Sequence, residues 1–232
     1  DEKYAWAAPS IEAMAEAGYI TGYTDDTFRP DKSVTRLEVL ALFSRSLGLN
    51  EEVNAPLLEI AKEKYGEIID EYDLDWGTDE IAFLMYRNIL TENDLVTYLS
   101  EEKRDEPMPR YEAAIIITKA MGKKPLSDDD AEEELQAYTD ITEIPNNALG
   151  YVASVKELGI MNGVSDTLFS PNTDVSRGQM AVLLFRTTNI TKYTFQAVKL
   201  IDVDAEGQTV TYRVGKRNED TGYSKNTVFT DM

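Results

Sequence analysis

The sequence predicts a mainly α-helical fold: three copies of one helix–loop–helix unit, with a small β-hairpin region after them. Three observations carry this. Apolar residues at helical spacing follow Trp6, Trp76 and Asn147, three heads standing 70 and 71 residues apart. The turn after the first helix repeats without a gap, Gly22–Pro30 against Gly163–Pro171. From Tyr193 onward the pattern changes to β-branched and aromatic residues.

The first helices come first in each copy. Trp6-Ala7 is followed by Ile11, Met14 and Ala15, and Trp76-Gly77 by Ile81, Leu84 and Met85. Asn147-Ala148 is followed by Val152 and Val155, so copy three keeps two of the offsets. Gly18 and Gly159 suit a helix C-terminus, where a left-handed residue closes the last carbonyls. Asp25, Asp166 and their Thr and Ser neighbours favour turns through local side-chain bonds, and Phe28 and Phe169 are expected to plug the loops into the core.

The second helices begin at a cap. Thr35-Arg36-Leu37-Glu38 is a capping box, in which hydroxyl and carboxylate satisfy free backbone N–H groups reciprocally. Ser176-Arg177-Gly178-Gln179 serves the same end in copy three. Copy two reads Pro109-Arg110-Tyr111-Glu112, which keeps Arg and Glu but lacks the cap hydroxyl. Its loop, Leu90–Met108, lacks the shared turn motif, and the head-to-Arg distance is 34 residues against 30 in the others. A further helix is expected around Pro56–Tyr72, and Pro125–Glu134 reads as an acidic, solvated linker able to start a short helix. The organisation is thus copy one over 1–50, copy two with its helical insertion over 51–124, copy three with its linker over 125–190, and a β region over 191–232. In that last region Tyr193–Leu200 and Thr209–Val214 read as strands around an Ala205–Gln208 turn, with a third near Thr227–Phe229. About 40 residues give little core, so this reads as the start of a following domain.

Composition limits function. There are 23 Lys and Arg against 43 Asp and Glu, a net charge of −20, which disfavours nucleic acids and anionic membranes. Cys and His are absent, so thiol nucleophiles, disulfides, Cys/His zinc sites and imidazole catalysis are excluded. No cofactor or metal site is expected. Asp202–Gly207 opens like a calcium loop, but its twelfth position is Arg213, which supplies no carboxylate. No membrane span is visible, and Asp1-Glu2-Lys3 leads into no signal-like apolar run. Asp1 reads as a trimmed mature end or a cut boundary.

The order Trp-Ala, Gly-Tyr-x-Asp-x-x-Phe-x-Pro and Thr-Arg-x-Glu resembles the S-layer homology domain over roughly residues 4–190, most fully in copy one and least in copy two. The resemblance implies a pseudo-threefold, three-pronged spindle within one chain. It implies a noncatalytic, extracellular anchor whose inter-repeat grooves bind anionic secondary cell-wall polysaccharide ending in pyruvylated N-acetylmannosamine. Carried over by position, the ligand-binding set is Arg36, Arg110 and Arg177 with Glu38, Glu112 and Gln179, the aromatics Trp6 and Trp76, and the loop residues Asp25, Asp166, Gly22 and Gly163. Asn147 in place of Trp and Gln179 in place of Glu make the grooves unequal, with first interest at Arg36 and Arg110. A guanidinium grips a carboxylate through two parallel bonds, and a helix start favours an anion, so the chemistry agrees.

Structural alternatives stay open for each residue. The Trp pair can be core anchors, the Glu pair caps and partners for the Arg, the Arg residues ion-pair partners and the Asp pair turn formers. Two other functions also remain: part of a wall-glycan-active enzyme, or a self-assembling S-layer module.

Overall fold

The computed structural model describes residues 2–191 and three strands at 199–204, 209–214 and 217–222. Nine α-helices are described: α1 (Ala8–Glu16), α2 (Arg36–Ser46), α3 (Ala55–Asp70), α4 (Thr78–Tyr86), α5 (Glu92–Leu99), α6 (Arg110–Ala120), α7 (Asp128–Leu135), α8 (Leu149–Glu157) and α9 (Arg177–Thr191). The first helices of the copies are α1, α4 and α8; the second helices are α2, α6 and α9.

Local chemistry sets the helix starts. Thr35 accepts from the Glu38 N–H at 3.2 Å and Glu38 accepts from the Thr35 N–H at 2.9 Å, which is the expected capping box. Ser176 and Gln179 repeat it at 3.3 and 3.2 Å. Helix α4 instead starts from Gly77 at φ 88°, where a Cβ would stand 3.0 Å from the Leu37 side chain, so any other residue would be strained there.

Two segments are more ordered than their sequence suggested. The rebuilt loop of copy two contains α5, started by a Thr91–Asp94 capping box and held by buried Leu95, Tyr98 and Leu99 at helical spacing. The acidic linker becomes α7, capped by Ser127 and docked on α8 through Ala131 and Leu135.

The three copies close on one another. α4 packs on α2, α8 on α6 and α1 on α9, so every prong joins the first helix of one copy to the second helix of the copy before it. At the axis the backbone makes a triangle. Val34 N–H donates to Val175 O at 3.0 Å, Val175 N–H to Met108 O at 2.9 Å, and Met108 N–H to Val34 O at 2.9 Å. All three residues are buried, so each N–H that lost its partner would cost about 1–3 kcal/mol. The core around them includes Leu40, Phe43, Phe83, Ile116, Ile117 and Phe169.

At the C-terminal end β1 (Lys199–Asp204), β2 (Thr209–Val214) and β3 (Arg217–Gly222) pair antiparallel in that order. The expected strand residues Tyr193–Val198, the Ala205–Gln208 turn and the Thr227–Phe229 strand lie outside the described residues.

Candidate functional site

The grooves arise where each second helix meets a neighbouring copy. Helix starts leave backbone N–H groups without helical partners, and here the neighbour supplies carbonyls. Arg36 and Leu37 N–H donate to Glu106 O and Arg104 O, Arg110 and Tyr111 N–H to Thr173 O and Pro171 O, and Arg177 and Gly178 N–H to Lys32 O and Pro30 O. These N–H groups are therefore committed to closing the ring.

The three guanidinium groups follow the same circular order. Arg177 donates from Nε to Phe28 O at 2.9 Å and from Nη2 to Thr21 O at 2.7 Å, lying over the rings of Tyr23 and Phe28. Arg110 repeats the arrangement on copy three, to Phe169 O at 3.1 Å and Asn162 O at 2.6 Å, over the Phe169 ring. Neither has a carboxylate hydrogen-bonded to it among the described residues, and the Nη1 of each makes no hydrogen bond there. Arg110 is buried, and burial pulls its pKa below the ordinary guanidinium range.

Arg36 differs. Copy two has no matching turn, and the carbonyls of Lys103 and Pro107 sit at 3.4 and 3.3 Å from Nη1. Its main partner is the Glu112 carboxylate, gripped at 2.7 Å by Nε and 2.9 Å by Nη2, with Glu106 at 3.2 Å from Nη1. Burial pulls the Arg36 pKa down, but the bond to Glu112 and the nearby negative charges outweigh it and leave the pKa raised. Arg36 is thus a buried ion-pair partner.

Two cavities lie in the grooves. The first, about 220 Å³, is lined by Thr21, Phe28, Glu38, Arg45, Trp76 and Arg177, among others. It takes its loop and Glu from copy one, its Trp from copy two and its Arg from copy three. The second, about 360 Å³, is lined by Asp94, Tyr98, Tyr111, Glu112, Lys119 and Asn147, among others. Asn147 stands there where the first groove has Trp76. On the remaining side of the ring Trp6 stands beside Gly178, at the start of α9.

Both tryptophans are exposed, Trp6 by 56% and Trp76 by 43%, so the core-anchor reading does not hold for them. Glu38 and Gln179 are caps, and Glu112 is an Arg partner; both duties were expected of the Glu pair, and the structure divides them between the copies. Asp25 is a turn former: Thr27 first, then Arg29 at 2.6 Å, hold its carboxyl down at about 2. Asp166 is exposed, and Gly22 and Gly163 sit where a Cβ would press on loop carbonyls at 3.1 and 2.6 Å.

Several contributors were not singled out from the sequence. Asp140 accepts from the Phe169 and Ser170 N–H groups at 2.9 and 2.7 Å, and Tyr138 OH accepts from Gly163 N–H at 2.8 Å. Arg45, paired with Glu80 at 2.9 Å, walls the first groove. An Arg at the same helix position in copy three, Arg186, was the available signal for Arg45. No cluster of metal-ligating side chains occurs among the described residues. None of the described helices is long and apolar enough to cross a membrane.

The model of the S-layer homology domain matches residues 1–40 and 137–181, which are copies one and three with their shared turn. Over these two stretches the chain is similar to the S-layer homology domain. Among similar proteins, an amylopullulanase of Thermoanaerobacterium thermosulfurigenes is 27% identical over 80% of this chain and 9% of its own length. The surface-layer 125 kDa protein of Lysinibacillus sphaericus is 24% identical over 91% of this chain and 16% of its own. The cellulosome-anchoring protein of Acetivibrio thermocellus is 52% identical over 18% of this chain and 9% of its own. The chain thus spans 7 to 18% of the length of the relatives matched over most of it.

Proposed function

We propose that this chain is a noncatalytic, extracellular cell-wall anchoring module. It binds anionic secondary cell-wall polysaccharide, ending in pyruvylated N-acetylmannosamine, in its inter-repeat grooves. The observation that carries this is the first groove: the Nη1 of Arg177 is unspent beside the exposed Trp76. A ketal carboxylate would take the free edge of the guanidinium, and a sugar face would lie on the indole. The S-layer homology match and relatives named as surface-layer and cellulosome-anchoring proteins support the reading.

The net charge of −20 does not oppose it. At physiological ionic strength charges beyond about 8 Å are largely screened, so the nearest groups set the field in a groove. Arg45 and Glu80 offset one another, and Glu38 is held by the cap, which leaves Arg177 as the cation that faces a ligand. By the pseudo-threefold order of the copies, the third groove would draw on Arg110 and Trp6, with the neutral Gln179 replacing Glu38.

The test is binding to purified wall polysaccharide. Arg177→Ala and Trp76→Ala should each weaken binding by about tenfold or more, and Arg177→Lys should recover it only in part because Lys offers no two-pronged grip. Binding unchanged in Arg177→Ala would reject the assignment.

A further inference from the structure

The three second-helix starts differ in one elementary respect. In copies one and three the N3 side chain, Glu38 or Gln179, accepts a hydrogen bond from the backbone N–H of the cap residue, Thr35 or Ser176. Pro109, the cap residue of copy two, has no N–H to donate. Glu112 therefore has no capping duty. It turns to Arg36 and takes it with both oxygens, while the Tyr111 hydroxyl donates to Oε1 at 3.1 Å.

The consequence falls on the second groove. Every edge of Arg36 is occupied from within the chain: Nε and Nη2 by Glu112, and Nη1 by Glu106 and the Lys103 and Pro107 carbonyls. The one cation lining this cavity, Lys119, is paired with Asp94 at 3.0 Å. Most of the remaining wall consists of hydroxyl, amide and ring groups from Thr97, Tyr98, Tyr111, Asn147 and Tyr151. An anion entering there would meet two carboxylates and no unpaired positive charge in the lining. A sugar's hydroxyls would meet acceptors and donors.

We propose that the second groove selects an uncharged sugar unit, and that Pro109 is the residue that sets this specificity by releasing Glu112 onto Arg36. This rests on the reading that the grooves are glycan sites. Backbone geometry allows the reverse change, since Pro109 has φ −72° and ψ 156° against −77° and 165° for Thr35. A serine in place of Pro109 would restore both cap groups, draw Glu112 back to the helix start and free the Nε and Nη2 edge of Arg36.

The test uses the whole chain with both exposed tryptophans removed, Trp6→Ala/Trp76→Ala, so that the first and third grooves are weakened without disturbing the core. Two probes are titrated by calorimetry: a pyruvylated N-acetylmannosamine glycoside and the same glycoside without the ketal. The uncharged probe should bind at least tenfold more tightly than the anionic one. Adding Pro109→Ser should reverse that order, and a crystal structure of Pro109→Ser should place the Glu112 carboxylate on the new backbone N–H of the cap residue. The proposal is overturned if the double variant binds neither probe, if it prefers the anion, or if Pro109→Ser leaves the order unchanged. Binding of the anionic probe to the unmodified chain is the separate check on the glycan reading. If it binds there while the second groove fails these tests, only the specificity proposal is lost.

Discussion

The first and second grooves are built on the same plan and end in opposite electrostatic states. In the first, Glu38 is spent on its own helix and Arg177 keeps a free edge beside Trp76. In the second, Glu112 is spent on Arg36 and an asparagine replaces the tryptophan. A cap is usually counted as a stability device. Here it also decides whether a carboxylate is available to neutralise an arginine from another copy.

The sharpest way to break this comparison is to delete the two glutamates separately. Glu112→Ala leaves Arg36 buried without its main partner and should cost about 3–5 kcal/mol. Glu38→Ala removes half of a capping box and should cost no more than about 1–2 kcal/mol. Urea unfolding of both variants reads the difference, and equal losses would deny that the two residues have different duties.

The next effect concerns binding. Arg177→Ala should reduce affinity for pyruvylated glycan by more than Arg36→Ala does, once the stability loss of the latter is allowed for by working well below its melting temperature. A larger binding loss in Arg36→Ala would place the anion in the second groove and contradict the account.

Smaller effects sharpen the capping argument. Thr35→Ala should destabilise by about 1 kcal/mol. Pro109→Ser gains a cap but loosens the Arg36 pair, so its change should be small in either direction, within about 1 kcal/mol. Thermal unfolding of the two variants side by side would measure this.

The smallest expected effect is a titration. Asp25 is exposed, yet Thr27 and then Arg29 hold its carboxyl at about 2, below the unfolded value of about 3.9. Its folded pKa is depressed, so its contribution is present above about pH 4 and fades as the pH falls towards about 2. Thr27→Ala should raise the Asp25 pKa in an NMR titration, without any change in the second groove.

Much of this was legible in the sequence because it is local. Heads, turn motifs and capping boxes depend on residues a few positions apart, and Thr35–Glu38 and Ser176–Gln179 form as their spacing implies. The groove membership was not legible. The first groove draws its loop, its aromatic and its arginine from three different copies, so losses counted copy by copy point to the wrong neighbourhoods. Asn147 of copy three and the rebuilt loop of copy two meet in one groove, while Trp6 of copy one stands beside Gly178 of copy three. The duty of Glu112 depends on Arg36, 76 residues away. The helix α5 could have been read from Thr91, Asp94 and the Leu95-Tyr98-Leu99 spacing, which stood in the sequence.

The most direct measurement is a crystal structure of this chain soaked with a pyruvylated wall disaccharide. The account predicts the ketal carboxylate on Arg177 with the sugar against Trp76, and no carboxylate on Arg36 other than those of the chain itself. A ligand carboxylate seated on Arg36, with the first groove empty, would contradict it.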